Sequence, residues 1–466
     1  MGIFRRSGQL RWVAGVVSAM VLLTACTSTA HPDVTVTHQV TVAGSANPGA
    51  TSTGQRDIPP SVSRAPGSPA SPGATTDAGT TGSSTAASTS ASSDDAGSGP
   101  AYGTPPGVVV KTEPDGFKIT KLKPGQKAPQ FIVYSFDGVG WDEKWQYWFG
   151  ITQKVPLHFT GFLSGVYLLT NQTKLKYTGP GHKPGKSSIP FGTAADLPVE
   201  IGNLNKALGR GEEIGTHFVG HFCDDNAPGG TQWDTGNWND ELDQFFSFLK
   251  NVDVNNGITA KLNLTAADIK GERTPCLTGH SADLFPALEA HNMTYDSSFQ
   301  EDGNGLAWPT KSADGKIWQM GMAEFPIHGT GHPQITMDYN FYAQQEPNSI
   351  GSGNPPSPAQ SQADSAQVLA TYQDMLKAAI TDGVNEPLIL GNHFENWNNN
   401  AYTQALATFA LHNCGKPGIY CVPFRDVVDW MDAQDPNVMA ALQNHRSNLG
   451  GCPYDKWPHC DGLIRY

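Results

Sequence analysis

The chain has 466 residues, a formal net charge of −13 and a charged fraction of only 16%. That acidic balance disfavours nucleic acid as a partner, because phosphate binding needs a basic face. The length would hold two or three average domains, but much of the Gly and Pro bias sits in one stretch, and what remains is long enough to bury a large core as one α/β unit.

Arg5, Arg6 and Arg11 make a basic start, and Trp12 to Leu23 is an apolar run too short to span a bilayer comfortably. The run ends in Leu23-Thr24-Ala25-Cys26, which resembles the lipobox of bacterial lipoproteins. The resemblance implies that residues 1–25 are a signal peptide and that Cys26 is lipidated. The protein is then exported and held on the cell membrane by its lipid, facing outward. An ordinary cleaved signal and an uncleaved anchor are the rival readings. A diacyl anchor suffices at about 0.8 kcal/mol per buried CH₂. Residues 26–106 are Ser, Thr, Ala, Gly and Pro with few aromatics, and such a segment cannot offset its own ordering entropy. It reads as a flexible tether. The folded domain then occupies 107–466.

Within the domain, Phe131-Ile132-Val133-Tyr134-Ser135-Phe136 predicts a strand apolar on both faces. A second strand is expected in Val155 to Leu169. Leu242, Phe245, Phe246 and Leu249 recur at helical spacing and predict a helix over Asn239 to Leu249. Thr265-Ala266-Ala267-Asp268 reads as the N-cap of another. Met293-Thr294-Tyr295 and Pro387-Leu388-Ile389-Leu390 predict short strands, and Ser361 to Ile380 a long helix. Strands alternating with helices predict a parallel sheet or barrel.

If Cys26 carries lipid, Cys223, Cys276, Cys414, Cys421, Cys452 and Cys460 remain. An even number in an exported chain predicts disulfides, although sequence leaves the pairing open. Short loops make Cys414 with Cys421 and Cys452 with Cys460 the cheapest closures, leaving Cys223 with Cys276. No Cys-x-x-Cys occurs, so the cysteines do not read as a metal site.

Chemistry is suggested at several places. His217 and His221 stand four apart, a spacing that lets two imidazoles share a helical face and bind Zn²⁺, although two polar histidines in a turn would look the same. Asp137 and His393 both follow predicted strands, where ligands gather in parallel α/β folds. Arg273 offers a planar fork for a carboxylate, and Asp296 follows a predicted strand. Trp397, four residues past His393, is the candidate aromatic platform for a sugar, while most other tryptophans read as packing.

In order, Ser135-Phe136-Asp137, His217-x-x-x-His221, Arg273-x-Pro275, Tyr295-Asp296-Ser297-Ser298 and Leu390-x-x-His393 resemble the motifs of the polysaccharide deacetylase (NodB-homology, carbohydrate esterase 4) family. The likeness is strongest to the chitin-deacetylase branch and covers about Ala128 to Met431. It implies a distorted (β/α) barrel and a metal-dependent hydrolase that removes N-acetyl groups from amino-sugar polymers at the cell envelope. By the same resemblance His217 and His221 hold a divalent metal, usually zinc. Asp137 is the base and His393 the acid. The amide of Cys276 helps hold the oxyanion, and Arg273 and Asp296 support the site. The sequence departs from the family at one point. Two adjacent Asp, base then ligand, are usual, and here Asp137 is followed by Gly138. Either the ligand is missing, or Asp137 is the ligand and the base is lost. Asp142, Asp224 and Asp225 are nearby substitutes. The alternative reading is a catalytically inactive carbohydrate-binding lipoprotein on the same fold.

Overall fold

The apolar run from Phe131 forms the strand Gln130–Asp137, buried along its whole length in the computed structural model. The structure describes residues 111–112, 117–123, 126–299, 305–352 and 354–444. Cys26, the 26–106 tether, Cys452 and Cys460 lie outside the described residues. Alternate side chains of the strand enter different apolar clusters. Ile132, Tyr134 and Phe136 join the larger one, and Phe131 and Val133 the smaller. Successive residues of a strand face opposite sides, so burial on both faces marks a sheet covered on both sides.

Side by side, the strands run Leu388–His393, Gln130–Asp137, Thr160–Leu163, Glu213–Thr216, Gly271–Glu272, Tyr295–Asp296 and Trp318–Gln319, and each neighbouring pair is parallel. Thr310–Lys311 adds antiparallel to the far edge, and Ile419–Cys421 pairs with the start of Gln130–Asp137. Parallel strands need crossovers, and helices such as Leu197–Arg210, Thr235–Lys250 and Ser281–Ala290 supply them. This is the α/β architecture expected: a distorted (β/α) barrel built on a mostly parallel sheet.

The helices begin and end on local signals. In Thr235–Lys250, Asp234 accepts from the Asn237 amide at the N-terminus, and Trp238, Leu242, Phe245, Phe248 and Leu249 are buried. The long helix Pro358–Asp382 starts at Ser357, whose hydroxyl accepts from Gln360 N, and stops at Gly383 with φ 81°. Among the described residues, no helix is long and apolar enough to cross a membrane.

Two expected elements differ. The stretch Val155 to Leu169 contains a strand only at Thr160–Leu163, followed by a 3-10 turn at Gly165–Leu168. Pro156 lacks a ladder donor, and after Leu163 the chain turns so that Gly165 N donates to Phe218 O at 2.7 Å. Thr265 starts no helix. Its amide and hydroxyl both donate to the Asp268 carboxylate, which closes a single turn before the strand Gly271–Glu272. Disulfides join Cys223 to Cys276 and Cys414 to Cys421.

Candidate active site

On one face of Gln130–Asp137 the side chains run Phe131, Val133, Ser135, Asp137, apolar at the amino end and polar at the carboxyl end. Arg273 meets that polar end. It leaves the strand Gly271–Glu272 fully buried, with its guanidinium 4.7 Å from the Phe162 ring centroid. Nη1 donates to Asp137 Oδ1 at 2.8 Å, Nη2 to Ser135 Oγ and Ser297 Oγ, and Nε to Ser297 O. The neighbouring strand makes room through Gly391, where a Cβ would sit 2.3 Å from Met322 Sδ and 3.5 Å from Arg273 Nη1. Burial opposes the charge on Asp137, but Arg273, His217 and His393 together outweigh it and hold the carboxyl below its usual range.

His393 ends the strand Leu388–His393 and is the register partner of Asp137. Its Nε2 lies 3.9 Å from Asp137 Oδ2. Its Nδ1 lies 2.8 Å from Asp338 Oδ1, and its amide donates to Asp338 Oδ2 at 2.8 Å. Burial disfavours the imidazolium, yet Asp338 and then Asp137 raise the His393 pKa to about 8. The ring is 21% exposed, enough to meet a substrate.

His217 and His221 do not share a helix. They stand in a loop after Glu213–Thr216, and both Phe218 (φ 54°) and His221 (φ 53°) are left-handed there. Such backbone is costly for bulky residues and persists only when its surroundings fix it. Glu241 does so: buried in the helix Thr235–Lys250, it accepts from Val219 N at 3.0 Å, Gly220 N at 3.4 Å and Tyr177 Oη at 2.5 Å. Burial raises the Glu241 carboxyl to about 7. His217 Nδ1 lies 2.6 Å from Arg273 O. A carbonyl only accepts, so Nδ1 carries the proton and Nε2 presents a lone pair. The two imidazole centroids are 5.0 Å apart. Burial lowers both pKa values, and His217 and His393 add to the fall at His221, which reaches about 3.

This donor set does not complete the three-ligand site that a hydrolytic zinc usually has. Gly138 contributes no side chain, and Asp137 is held by Arg273. Asp142 accepts from Asn203 and Gln146, and Asp224 from Thr231. The side chain of Asp225 lies outside the described residues. Among the described residues, the group of His, Cys and carboxylate side chains close enough to share an ion is His221, Cys223 and Cys276.

No family model matches the sequence, and no curated protein is similar to it. The likeness is to solved structures. A protein from Mycobacterium smegmatis assigned as a polysaccharide deacetylase is 15% identical, with a TM-score of 0.42 over 70% of this chain and 96% of that one. The Xyl-CE4 domain of a multidomain xylanase from the hindgut metagenome of Trinervitermes trinervoides is 14% identical, with a TM-score of 0.33 over 66% and 94%. A CE4 family pseudoenzyme from Bacillus anthracis is 9% identical, with a TM-score of 0.33 over 68% and 71%.

The remaining expected residues divide. Cys276 follows Pro275 in a left-handed turn (φ 55°) and is tied to the histidine loop by its disulfide. Asp296 is buried behind the site, where its Oδ1 accepts from Ser298 N and burial raises its carboxyl. Trp397 packs 4.8 Å from His393, 5.2 Å from Tyr339 and 6.2 Å from Tyr342, centroid to centroid. Asn398, Asn399 and Asn400, at φ 50°, 53° and 65°, set it there. Lys144 Nζ donates to Asn400 Oδ1 at 2.6 Å, and Asn398 Nδ2 donates to Asp364. Sequence reasoning missed Asp338, Tyr339 and Glu241, since each acts through a partner distant in the chain.

Proposed function

We propose that the domain is a hydrolase that removes acyl groups, N-acetyl first among them, from amino-sugar polymers such as peptidoglycan or chitin-like glycans. In this reading it works outside the cell, held to the membrane through Cys26 and spaced from it by the 26–106 tether. One observation carries the proposal. Asp137, held below the usual carboxylate range, and His393, raised to about 8, occupy paired positions on adjacent strands.

Amide hydrolysis needs both states at once. A base takes the proton of the attacking water, and an acid protonates the departing amine. Asp137 is the base and His393 the acid. Arg273 keeps the first ionised, and Asp338 keeps the second protonated and fixes its ring. In this reading the Cys276 amide helps hold the oxyanion. Trp397 and Tyr339 offer aromatic faces to a sugar ring.

The second reading, an inactive carbohydrate-binding lipoprotein, is favoured by Gly138 and because, among the described residues, no carboxylate lies close enough to both histidines to share an ion with them. Acetate release by the purified chain from N-acetylated glucosamine oligomers and peptidoglycan fragments separates the two. Release supports the hydrolase, and binding without release supports the binding protein. The metal requirement is separable. Release abolished by a chelator, restored by zinc and lost in His217→Ala would put the ion on His217 and His221; release that survives a chelator leaves Asp137 and His393 acting on water alone.

A further inference from the structure

Two sulfurs stand beside His221. His221 Nδ1 lies 3.9 Å from Cys223 Sγ, and the ligand atoms of His221, Cys223 and Cys276 all fall within 4.8 Å of one another. Tetrahedral zinc, with Zn–S about 2.3 Å and Zn–N about 2.0–2.1 Å, sets adjacent ligand atoms roughly 3.5–3.8 Å apart. The nitrogen and the first sulfur already stand near that separation. The two sulfurs are bonded to each other, so in this state they offer no thiolate.

We infer that reduction of the Cys223–Cys276 disulfide opens a metal site, with His221 Nδ1, Cys223 and Cys276 as ligands to a thiophilic divalent cation of the Zn²⁺ class. The chemistry balances with a dithiol reductant. The dithiol gives two electrons and two protons and becomes a disulfide, the S–S bond breaks, and each cysteine becomes a thiol. Metal binding then releases one proton from each thiol.

The loops would keep their places when the bond opens, because other contacts hold them. Glu241 holds Val219 and Gly220 on one side, and Ser187 Oγ donates to Gly220 O. Ser188 Oγ is 3.5 Å from His221 Nδ1, and it donates to the His221 carbonyl. Beyond Cys276, Leu277 N bonds to Thr274 O and Thr278 N to Pro275 O. The Cα atoms of the two cysteines are 5.7 Å apart, so only side-chain rotation is needed to part the sulfurs. The site takes a nitrogen from His221, so filling it competes with any use of that ring beside His217. The inference does not rest on the proposed hydrolysis and stands or falls without it.

The test uses the full chain, reduced with a dithiol, freed of it without air, and titrated with Co²⁺ or Zn²⁺ alone. About one equivalent should bind after reduction, with a thiolate-to-cobalt charge-transfer band that zinc displaces. In the same wild-type protein, zinc should slow alkylation of Cys223 and Cys276 by roughly tenfold or more while leaving Cys414 and Cys421 unprotected. Cys223→Ser and Cys276→Ser should each remove the band, and Cys414→Ser should keep it. Absence of the band after reduction, its presence before reduction, or alkylation of Cys223 and Cys276 unaffected by zinc would each overturn the inference.

Discussion

Asp137 and His393 face each other across two parallel strands as register partners, with Nε2 and Oδ2 3.9 Å apart. Each is set by a second buried group, Asp137 by Arg273 and His393 by Asp338. The two ion pairs hold opposite charges side by side at the carboxyl end of the sheet, which is where parallel α/β folds place their ligands.

This arrangement fixes a pH profile. Asp137 is ionised at and above the usual carboxylate range of about 4, so acetate release should not fall until the pH is below that value. His393 must be protonated, so release should decline as the pH rises through about 8. Asp338→Asn removes the largest influence favouring the cation and should move the alkaline limb down toward the ordinary histidine value of about 6.5. Histidine proton chemical shifts followed by NMR would show the same displacement without substrate.

Arg273→Leu should destabilise the fold by about 3–5 kcal/mol near neutral pH, because buried Asp137 loses its hydrogen-bonded cation and keeps only the longer contact to His393 at 3.9 Å. The sign with pH follows from the depressed Asp137 pKa. The ion pair stabilises above the unfolded carboxylate value and is lost as the pH falls through the folded one. Urea unfolding should therefore show the gap between wild type and variant closing in acid.

Glu241→Leu should leave Val219 N, Gly220 N and Tyr177 Oη without their acceptor, at about 1–3 kcal/mol for each orphaned donor. Amide hydrogen exchange should quicken at Val219 and Gly220 more than in the distant helix Pro358–Asp382.

Gly138→Asp supplies a second carboxylate next to Asp137. A Cβ there meets only Tyr167 Oη at 3.6 Å, so space is available, but φ is +66° and the side chain should cost about 1 kcal/mol in stability. Calorimetry should find tighter zinc binding at His217 and His221 than in wild type. Unchanged affinity would mean that position 138 does not face the pair.

Much of the fold was legible because its signals are local. The apolar run at Phe131, the helical spacing from Leu242 to Leu249 and the long stretch from Ser361 all formed as the sequence suggests. Asp137 and Arg273 were legible as candidates, and the strand pairing brings Asp137 to His393. What the sequence hid is set by distance. Asp338 is 55 residues from the histidine it holds, and no motif links them. The spacing of His217 and His221 suits a helix and a turn equally, and only the left-handed backbone at Phe218, fixed by Glu241, decides for the turn.

The measurement that bears most directly on the central claim is acetate release from N-acetylated glycan by wild type, Asp137→Asn and His393→Ala, with glycan binding followed separately by calorimetry. The account predicts that wild type releases acetate and that each substitution slows release by roughly 10²–10⁴-fold while binding persists. Glycan binding by all three proteins with no acetate release from wild type, with or without zinc, would contradict it.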